Sequence, residues 1–224
     1  MSNGLPPVIA IDGPSASGKG TVAQGVAGEL GFHFLNSGAL YRAVAVAAMK
    51  ARVNLEIESI LAHIALNINA KFHAESVELD GVDITDTIRT EDVSAVASRI
   101  AAHPGVRSAL LERQRGFRKP PGLVADGRDM GTVVFPDAVL KIYLTASPEE
   151  RAARRYKQLM GKGLGANMAA LLQDIRERDQ RDSARATAPL KKSADAVLID
   201  TTHRSAADAI AQVLALYQQA PRAL

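Results

Sequence analysis

The run VIAIDGPSASGKGT at residues 8–21 joins a short apolar segment to a glycine-rich turn. The apolar residues 8–11 predict a buried strand. Gly13 and Gly18 bracket a turn whose bare backbone lets successive N–H groups converge on phosphate oxygens. This strand and turn constrain the fold more than any other segment, because they predict a loop built to cradle phosphate.

A lysine and a helix complete the turn. Lys19 supplies a mobile positive charge for the outer phosphates, and Thr21 begins a helix over residues 21–30 whose positive end faces the same anion. The segment departs from G-x-x-x-x-G-K-[ST], because Gly20 occupies the Ser/Thr position and the hydroxyl follows one residue later. Such a pattern can arise by chance in a loop, but the flanking strand and helix favour a phosphate-binding loop.

Composition excludes several classes of function. The chain has 224 residues, of which 47% are hydrophobic, so it can bury the core of one domain with insertions. It contains no cysteine, which excludes disulfides, thiolate metal sites and a cysteine nucleophile. Aromatic residues make up 4% and the net charge is +3, so we expect no nucleic-acid partner. The five histidines follow no metal-ligand spacing and are interpreted as structural or surface residues.

The N-terminal segment MSNGLPP lacks the basic and then apolar run of a signal peptide. No stretch approaches the roughly 20 apolar residues that a membrane span needs. We therefore expect no membrane association and a cytoplasmic location. We also expect a monomer.

Apolar runs typical of buried strands alternate with helical patterns along the chain. The strands are predicted at residues 8–11, 32–35, 123–125, 139–144 and 196–199. The helices are predicted at residues 21–30, 39–52, 106–118, 148–160, 168–185 and 205–219. This alternation predicts an α/β fold with a five-stranded parallel sheet and helices on both faces.

One stretch, residues 60–103, interrupts the alternation. It contains a helical pattern, short apolar runs on either side of an Asp80-Gly81 turn signal, and a second helical pattern. We interpret it as a small α+β insertion. A second break is the GKGLGA segment at residues 161–166, which joins two arginine-rich helices and is interpreted as a flexible tip.

The predicted strand at residues 123–125 ends in an acid, Asp126, which Arg128 and Asp129 follow closely. In phosphate-loop enzymes an aspartate at such a strand end helps to hold Mg²⁺, usually through water. The alternative is that Asp126 caps a turn. The two further charges, at the edge where a parallel sheet opens its ligand crevice, favour the functional interpretation.

Two further segments carry candidate anion ligands. Ser37 can be a plain N-cap for the helix that begins near Ala39, whereas Arg42 falls in the first turn of that helix, where a cation opposes the dipole. A partner anion would explain Arg42.

In the second segment, Arg178, Asp182 and Arg185 share one helical face. A ladder of ordinary surface ion pairs is the alternative. The preceding helix adds cations that, with these arginines, exceed the nearby acids and indicate anion binding: Arg151, Arg154, Arg155 and Lys157.

Several segments, in order and over nearly the whole chain, resemble bacterial cytidylate kinases: GPSASGKGT, LNSGALYR, DITDTIRTEDVSAVASRIA, PGVRSALLERQRGF, VADGRDMGTVVFPDA and ERDQRDSARATAPL. The GKGT variant is frequent in nucleotide kinases. The resemblance implies a phosphate-loop kinase core, a monophosphate-binding insertion and a short lid. The corresponding ranges are 1–60, 104–154 and 186–224 for the core, 61–103 for the insertion and 155–185 for the lid.

The resemblance also implies site residues and substrates. ATP would be bound by Gly13, Pro14, Ser15, Ala16, Ser17, Gly18, Lys19, Gly20 and Thr21, with Arg154 and Arg155 from the lid. CMP, and also dCMP, would be bound by Ser37, Tyr41, Arg42, Ser98, Arg107, Arg128, Asp129, Arg178, Asp182 and Arg185. The catalytic set would be Lys19, Asp126, Arg128 and Arg178, with Mg²⁺ held by ATP through water near Thr21 and Asp126.

Ser98, Arg107 and Asp129 match the cytosine-reading positions of the family. Cytosine has an amino donor at N4 beside acceptors at N3 and O2, so a carboxylate and an arginine form a matched pair for it. A kinase for UMP or shikimate is an alternative that this pairing disfavours. A non-catalytic phosphate-loop switch is a second alternative, and the dense second anion site argues against it.

Two positions depart from the family pattern. Asn36 stands where the family commonly has Asp, and Ala16 replaces a glycine of the loop. The alanine is tolerable if its φ is negative.

Overall fold

The structure is a computed structural model that describes residues 4–73, 76–161, 163 and 165–220. Residues 1–3 of the N-terminal segment, and Lys162 and Leu164 of the predicted GKGLGA tip, lie outside the described residues. The chain divides into two compact units. The first unit contains the chain up to Leu35 and from Phe117 onward, and the second unit is Asn36–Gly116.

The strands are β1 (Val8–Asp12), β2 (His33–Asn36), β3 (Ala70–Phe72), β4 (Val77–Leu79), β5 (Val82–Asp83), β6 (Leu123–Gly127), β7 (Leu140–Thr145) and β8 (Val197–Asp200). The helices are α1 (Lys19–Leu30), α2 (Ser37–Lys50), α3 (Glu58–Asn67), α4 (Glu91–Ile100), α5 (Pro104–Arg115), α6 (Pro148–Met160), α7 (Met168–Ala184) and α8 (Ala206–Gln219). A 3₁₀ turn at Thr87–Arg89 and a π-helical turn at Met130–Val134 complete the secondary structure of the described residues.

The first unit is built on a five-stranded parallel sheet in the order β2-β6-β1-β7-β8, which confirms the predicted α/β fold. β1 lies at the centre, with Ile11 in register with Asp126 of β6 and with Ile142 of β7. Because the carboxyl ends of parallel strands meet at the same edge, the segments that follow β1 and β6 lie side by side. The phosphate loop and the acid-rich segment after β6 are therefore neighbours.

The core of the first unit lies between the sheet and helices α1 and α8. Val26 of α1 and Val213 of α8 are fully buried, as is Ile9 of β1. Burying a side chain of this size contributes roughly 1.5–3 kcal/mol, so the packing of these helices holds β1 and the loop that follows it.

The second unit combines four helices with the small antiparallel sheet β3-β4-β5. Asp80 and Gly81 join β4 to β5 with φ values of 53° and 79°, as a two-residue hairpin turn requires, and this confirms the predicted turn. The unit is wider than the predicted insertion at residues 61–103, because α2 packs on α3 and α4 while α5 packs on α3.

The start of α2 differs from the prediction. Asn36, not Ser37, caps this helix, because the Asn36 Oδ1 accepts a hydrogen bond from the Ala39 N–H at 3.0 Å. The N-cap interpretation of Ser37 is therefore wrong. The helix begins at Ser37, so Arg42 lies in the second turn, where the dipole acts more weakly than the predicted first-turn position implied.

Other helix ends also shift. α1 begins at Lys19 rather than Thr21, since Gly18 adopts a left-handed φ of 89° at its N-cap. α5 begins at Pro104, which suits the first turn of a helix, and ends at Arg115. α7 ends at Ala184, so Arg185 lies just past the helix and not on its face. Within the described residues, no helix is long and apolar enough to cross a membrane.

Candidate active site

The phosphate loop runs from the end of β1 to the start of α1. A Cβ atom on Gly13 would come within 2.0 Å of the carbonyl oxygen of Leu144 on the neighbouring strand, so only glycine fits there. The close approach of β7 thus fixes the entry of the loop, and the left-handed Gly18 fixes its exit into α1.

Ala16 adopts a φ of 56°. The negative φ at which an alanine would be tolerated here is therefore not what the loop has. The left-handed region brings Cβ close to the following carbonyl and costs about 1–2 kcal/mol for a residue other than glycine. The loop therefore holds Ala16 in a strained conformation that the family's glycine would adopt freely.

We expect Ala16→Gly to raise the free energy of unfolding by about 0.5–1 kcal/mol, because relief of strain exceeds the added freedom of the unfolded chain. Urea unfolding measures this change. The matched control is Ala211→Gly in α8, an exposed helical position where the same substitution lowers stability by about 1 kcal/mol. A loss at position 16 as large as that at position 211 would contradict the strain.

Carbonyl groups of the loop are held by side chains from α6 and from the segment after β8. Arg151 donates to the Ser15 carbonyl at 3.2 Å and Arg154 to the Ser17 carbonyl at 3.1 Å. The hydroxyl of Thr201 also donates to the Ser17 carbonyl at 3.1 Å. These bonds fix the backbone of the loop from outside.

Arg151 is not a free cation of the kind that the charge excess predicted. Its guanidinium is 3% exposed and pairs with Asp179 of α7, with one hydrogen bond of 3.0 Å. This pair joins α6 to α7 beside the loop, so Arg151 supports the loop rather than binding a mobile anion. Arg154 also pairs with Glu150, and Arg155 donates to Gln158.

Two serine hydroxyls in the loop are buried. Ser17 is fully buried, and among the described residues the hydroxyl oxygens of Ser15 and Ser17 have no hydrogen-bond partner. A buried polar group without a partner costs about 1–3 kcal/mol. Phosphate oxygens would satisfy both hydroxyls.

Lys19 is buried at the start of α1. Its ammonium donates to the Pro14 carbonyl at 3.0 Å and lies 3.9 Å from the carboxylate of Asp126. Burial, followed by the nearby charge of Arg128, lowers the pKa of Lys19 to about 7, while Asp126 acts in the opposite direction. A bound polyanion would favour the charged form, so this lysine is poised to gain its full charge when phosphates arrive.

A buried ion cluster links the β6 edge to the end of α7. Asp182 accepts from the Arg128 Nε at 2.9 Å and lies 3.7 Å from Arg185. Burial raises the pKa of Asp182, but Arg128, Arg185 and Arg178 outweigh it and hold the pKa below its ordinary value. The side chains of Asp182 and Arg185 are 5% and 7% exposed, so the surface-ladder interpretation is wrong.

Oxygen ligands suited to a magnesium ion gather near the start of α1. A Cβ atom on Gly20 would come within 3.3 Å of the Asp126 Oδ2, so the buried Asp126 carboxylate reaches the position where the usual Ser/Thr would stand. The exposed Thr21 follows directly. No group of three or more His, Cys, Asp or Glu in the described ranges could hold a metal ion. The donor set fits Mg²⁺ carried mainly by phosphate oxygens.

The second unit contains several of the side chains that are predicted to bind CMP. The Ser37 hydroxyl donates to Gln114 at 2.8 Å, and Arg42 lies over the helix start, 3.2 Å from where a Cβ on Gly38 would stand. Arg107 lies over the Tyr41 ring at 5.8 Å and donates to the Ala101 carbonyl. The buried Ser98 hydroxyl has no hydrogen-bond partner among the described residues, which suits a ligand contact.

Asp12, a buried acid at the end of β1, was not predicted as a site residue. It accepts hydrogen bonds from the backbone N–H groups that follow Asp129, which is itself 4% exposed. A signal was present, since β1 and β6 both end in Asp-Gly and only Asp126 of β6 was singled out. Asp179 was also missed as the partner of Arg151.

The chain resembles known proteins in both sequence and fold. The family model described as cytidylate kinase matches residues 9–219. Cytidylate kinases of Burkholderia pseudomallei (strain 1106a) and Burkholderia thailandensis are each 59% identical over 213 residues, which cover 95% of this chain and 93% of the relative. A crystal structure of a gluconokinase from Sinorhizobium meliloti 1021 is similar with a TM-score of 0.50 and 18% identity, covering 96% of this chain and 94% of that one. At that identity the likeness shows the fold alone.

Proposed function

Because the chain belongs to the cytidylate kinase family, we propose that its phosphate loop binds ATP and that its buried arginine–aspartate cluster holds the phosphate of CMP. The chain is a phosphotransferase that phosphorylates CMP with ATP. The observation that carries the assignment of residues is the convergence of Lys19, Asp126, Arg128 and Asp182 at the carboxyl ends of β1 and β6. The proposal includes the role of each site residue and activity toward dCMP.

On the ATP side, we assign the phosphates to the loop residues 13–21. The buried hydroxyls of Ser15 and Ser17 would donate to phosphate oxygens, and Lys19 would approach the outer phosphates in its charged form. Arg154 and Arg155 would close over the triphosphate with the lid and exclude water.

Asp126 and Thr21 would hold Mg²⁺ with the ATP phosphates. When bound, the ion neutralises charge on the β- and γ-phosphates. Asp126 therefore has two partners in this assignment, the ion and the ammonium of Lys19.

Phosphoryl transfer requires little covalent chemistry from the protein. An oxygen of the CMP phosphate attacks the γ-phosphorus in line, and the bond to the ADP oxygen breaks as the new P–O bond forms. Lys19, Arg128 and Arg178 would stabilise the charge that spreads over the transferring group. Asp182 would keep the Arg128 guanidinium in position through its 2.9 Å hydrogen bond.

On the CMP side, the phosphate would be bound by arginines and the base by a matched donor–acceptor set. Cytosine N4 would donate to Asp129, while Arg107 would donate to N3 and O2. The remaining CMP contacts are proposed for Ser37, Tyr41, Arg42, Ser98, Arg178, Asp182 and Arg185.

A coupled assay of ADP release tests the function across CMP, dCMP, UMP, AMP and shikimate. We expect fast turnover with CMP and dCMP and much slower turnover with the others. A preference for UMP or shikimate would overturn the assignment of the acceptor. Slow ADP release that no acceptor accelerates would indicate a nucleotide switch.

Asp129→Asn should lower the ratio of kcat/KM for CMP over UMP by about tenfold, because an amide accepts or donates and so tolerates the O4 of uracil. Asp137→Asn is the matched control, since Asp137 is 53% exposed and pairs with Arg118, which also donates to the Pro6 carbonyl before the start of β1. The ratio does not depend on the fraction of active enzyme. An unchanged ratio in Asp129→Asn would remove Asp129 from base recognition.

A further inference from the structure

Asp12 is a buried carboxylate for which the transfer reaction has no direct use. It is the last residue of β1 and is 6% exposed, in register with Gly127 of β6 and Tyr143 of β7. Asp12 therefore lies between β6 and β7, beside the segment after β6 that carries Arg128 and Asp129.

Each oxygen of the Asp12 carboxylate accepts one backbone hydrogen bond. Oδ1 accepts from the Met130 N–H at 2.8 Å and Oδ2 from the Gly131 N–H at 2.9 Å. Burial, together with the charges of Asp129 and Asp126, raises the pKa of Asp12 to about 7 against the opposite effect of these two bonds. Burial makes this carboxylate unfavourable to ionise. Its two hydrogen bonds stabilise the ionised form and hold the turn.

The turn that Asp12 holds begins directly after Asp129. Asp129 adopts φ −146° and ψ 25°, outside the helical and extended regions, and its carbonyl accepts from Val133 at 2.9 Å and Val134 at 3.2 Å. The π-helical turn thus fixes the carbonyl side of the Asp129–Met130 peptide, and Asp12 fixes the N–H side.

Side chains lie close to the glycines beside and within this turn. A Cβ atom on Gly127 would come within 2.7 Å of the Met130 side chain, and one on Gly131 within 3.1 Å of Lys141. The Met130 N–H belongs to the peptide that joins Asp129 to Met130. Displacement of the Met130 and Gly131 N–H groups would move this peptide and so change the orientation of Asp129.

We propose that Asp12 is a positioning residue for base recognition, which fixes the orientation of Asp129 by binding the two peptide N–H groups that follow it. Asp12 also directly precedes Gly13, so the same residue ties the acceptor-reading turn to the start of the phosphate loop. The inference rests on the proposed role of Asp129 at the cytosine base.

The test is Asp12→Asn, which keeps the size of the side chain but turns an NH₂ group toward one of the two N–H donors. We expect the ratio of kcat/KM for CMP over UMP to fall about tenfold, as for the loss of one hydrogen bond to a charged group, with the KM for ATP within about twofold. Asp137→Asn is the control, and its ratio should equal that of the wild type. A purely structural loss would lower the active fraction and leave the ratio unchanged.

The double variant Asp12→Asn/Asp129→Asn separates the two proposals. If Asp12 acts through Asp129, the double variant has the same ratio as Asp129→Asn alone. If Asp129→Asn alone keeps the wild-type ratio, the role of Asp129 fails, whatever Asp12 does. If Asp129→Asn lowers the ratio and Asp12→Asn does not, the positioning role of Asp12 is overturned.

Should Asp12→Asn fail to fold, Asp12→Glu gives the same test, because the longer side chain keeps the charge but displaces both oxygens. A lowered CMP-to-UMP ratio supports the positioning role, and a wild-type ratio overturns it.

Discussion

Lys19→Ala should lower kcat by about 10²-fold or more while the chain keeps its fold, since Lys19 is assigned to charge that grows on the transferring group. The ammonium is held between the Pro14 carbonyl and the Asp126 carboxylate in a buried position, where its charge acts strongly. Burial lowers the pKa of Lys19 to about 7, so removing the side chain also removes the cost of burying its charge.

Steady-state kinetics with saturating ATP and CMP measure this loss, with circular dichroism as the check on folding. Lys50→Ala is the matched control, because Lys50 is exposed at the end of α2 and has no assigned role in binding or transfer. A folded Lys19→Ala variant that keeps more than roughly a tenth of wild-type turnover would contradict the assignment.

Arg178→Ala and Arg185→Ala should each lower kcat/KM for CMP by about 10²-fold or more, with the KM for ATP much less affected. Both arginines hold the pKa of the buried Asp182 below its ordinary value, so both charges act inside the cluster. Asp182→Ala should reduce kcat/KM for CMP more than for dCMP, if its carboxylate accepts from the 2′-hydroxyl of the ribose.

Arg176→Ala is the control on the same helix. Arg176 is 56% exposed and pairs with Glu149, itself 60% exposed, and such pairs contribute about 0.2–1 kcal/mol to stability. Its kinetics should match the wild type. Equal losses of kcat/KM for CMP and dCMP would assign Asp182 to the 3′-hydroxyl instead. Wild-type CMP kinetics in all three cluster variants would remove the cluster from the acceptor site.

The central strand is predictable from the chain because β1 is buried along its whole length and its residues 8–11 form a continuous apolar run. Residues 139–144 are apolar apart from Lys141, and the two predicted strands correspond to β1 and β7 with small shifts at the ends. The division into units was not predictable in the same way, because α2 and α5 join the second unit through packing on α3. That packing has no local signal.

Local rules also failed where neighbouring residues could fill the same role. Asn36 and Ser37 are both good N-caps, and the sequence alone does not choose between them. Arg151 and Arg178 both lie on arginine-rich helices, yet Arg151 is paired with Asp179 below the phosphate loop. The bonds of Arg151 to Asp179 and to the Ser15 carbonyl depend on tertiary packing, and they are what identify it as a supporting arginine.

The left-handed Ala16 and the role of Asp12 share one cause. Both depend on the path of the backbone around the loop and the π-helical turn, so the sequence could at most single out Asp12 as an acid at a strand end. The pattern of an acid at a strand end singled out Asp126, which lies 3.9 Å from Lys19. The same pattern, applied to β1, would have found Asp12.

Phosphorus NMR of the enzyme with ATP and CMP measures transfer of the γ-phosphoryl group to CMP most directly, because it follows where that group goes. We expect the β-phosphorus signal of CDP to grow in step with ADP, one for one, while orthophosphate stays at its background level. Release of orthophosphate with CMP unchanged, at a rate that does not depend on CMP, would contradict it.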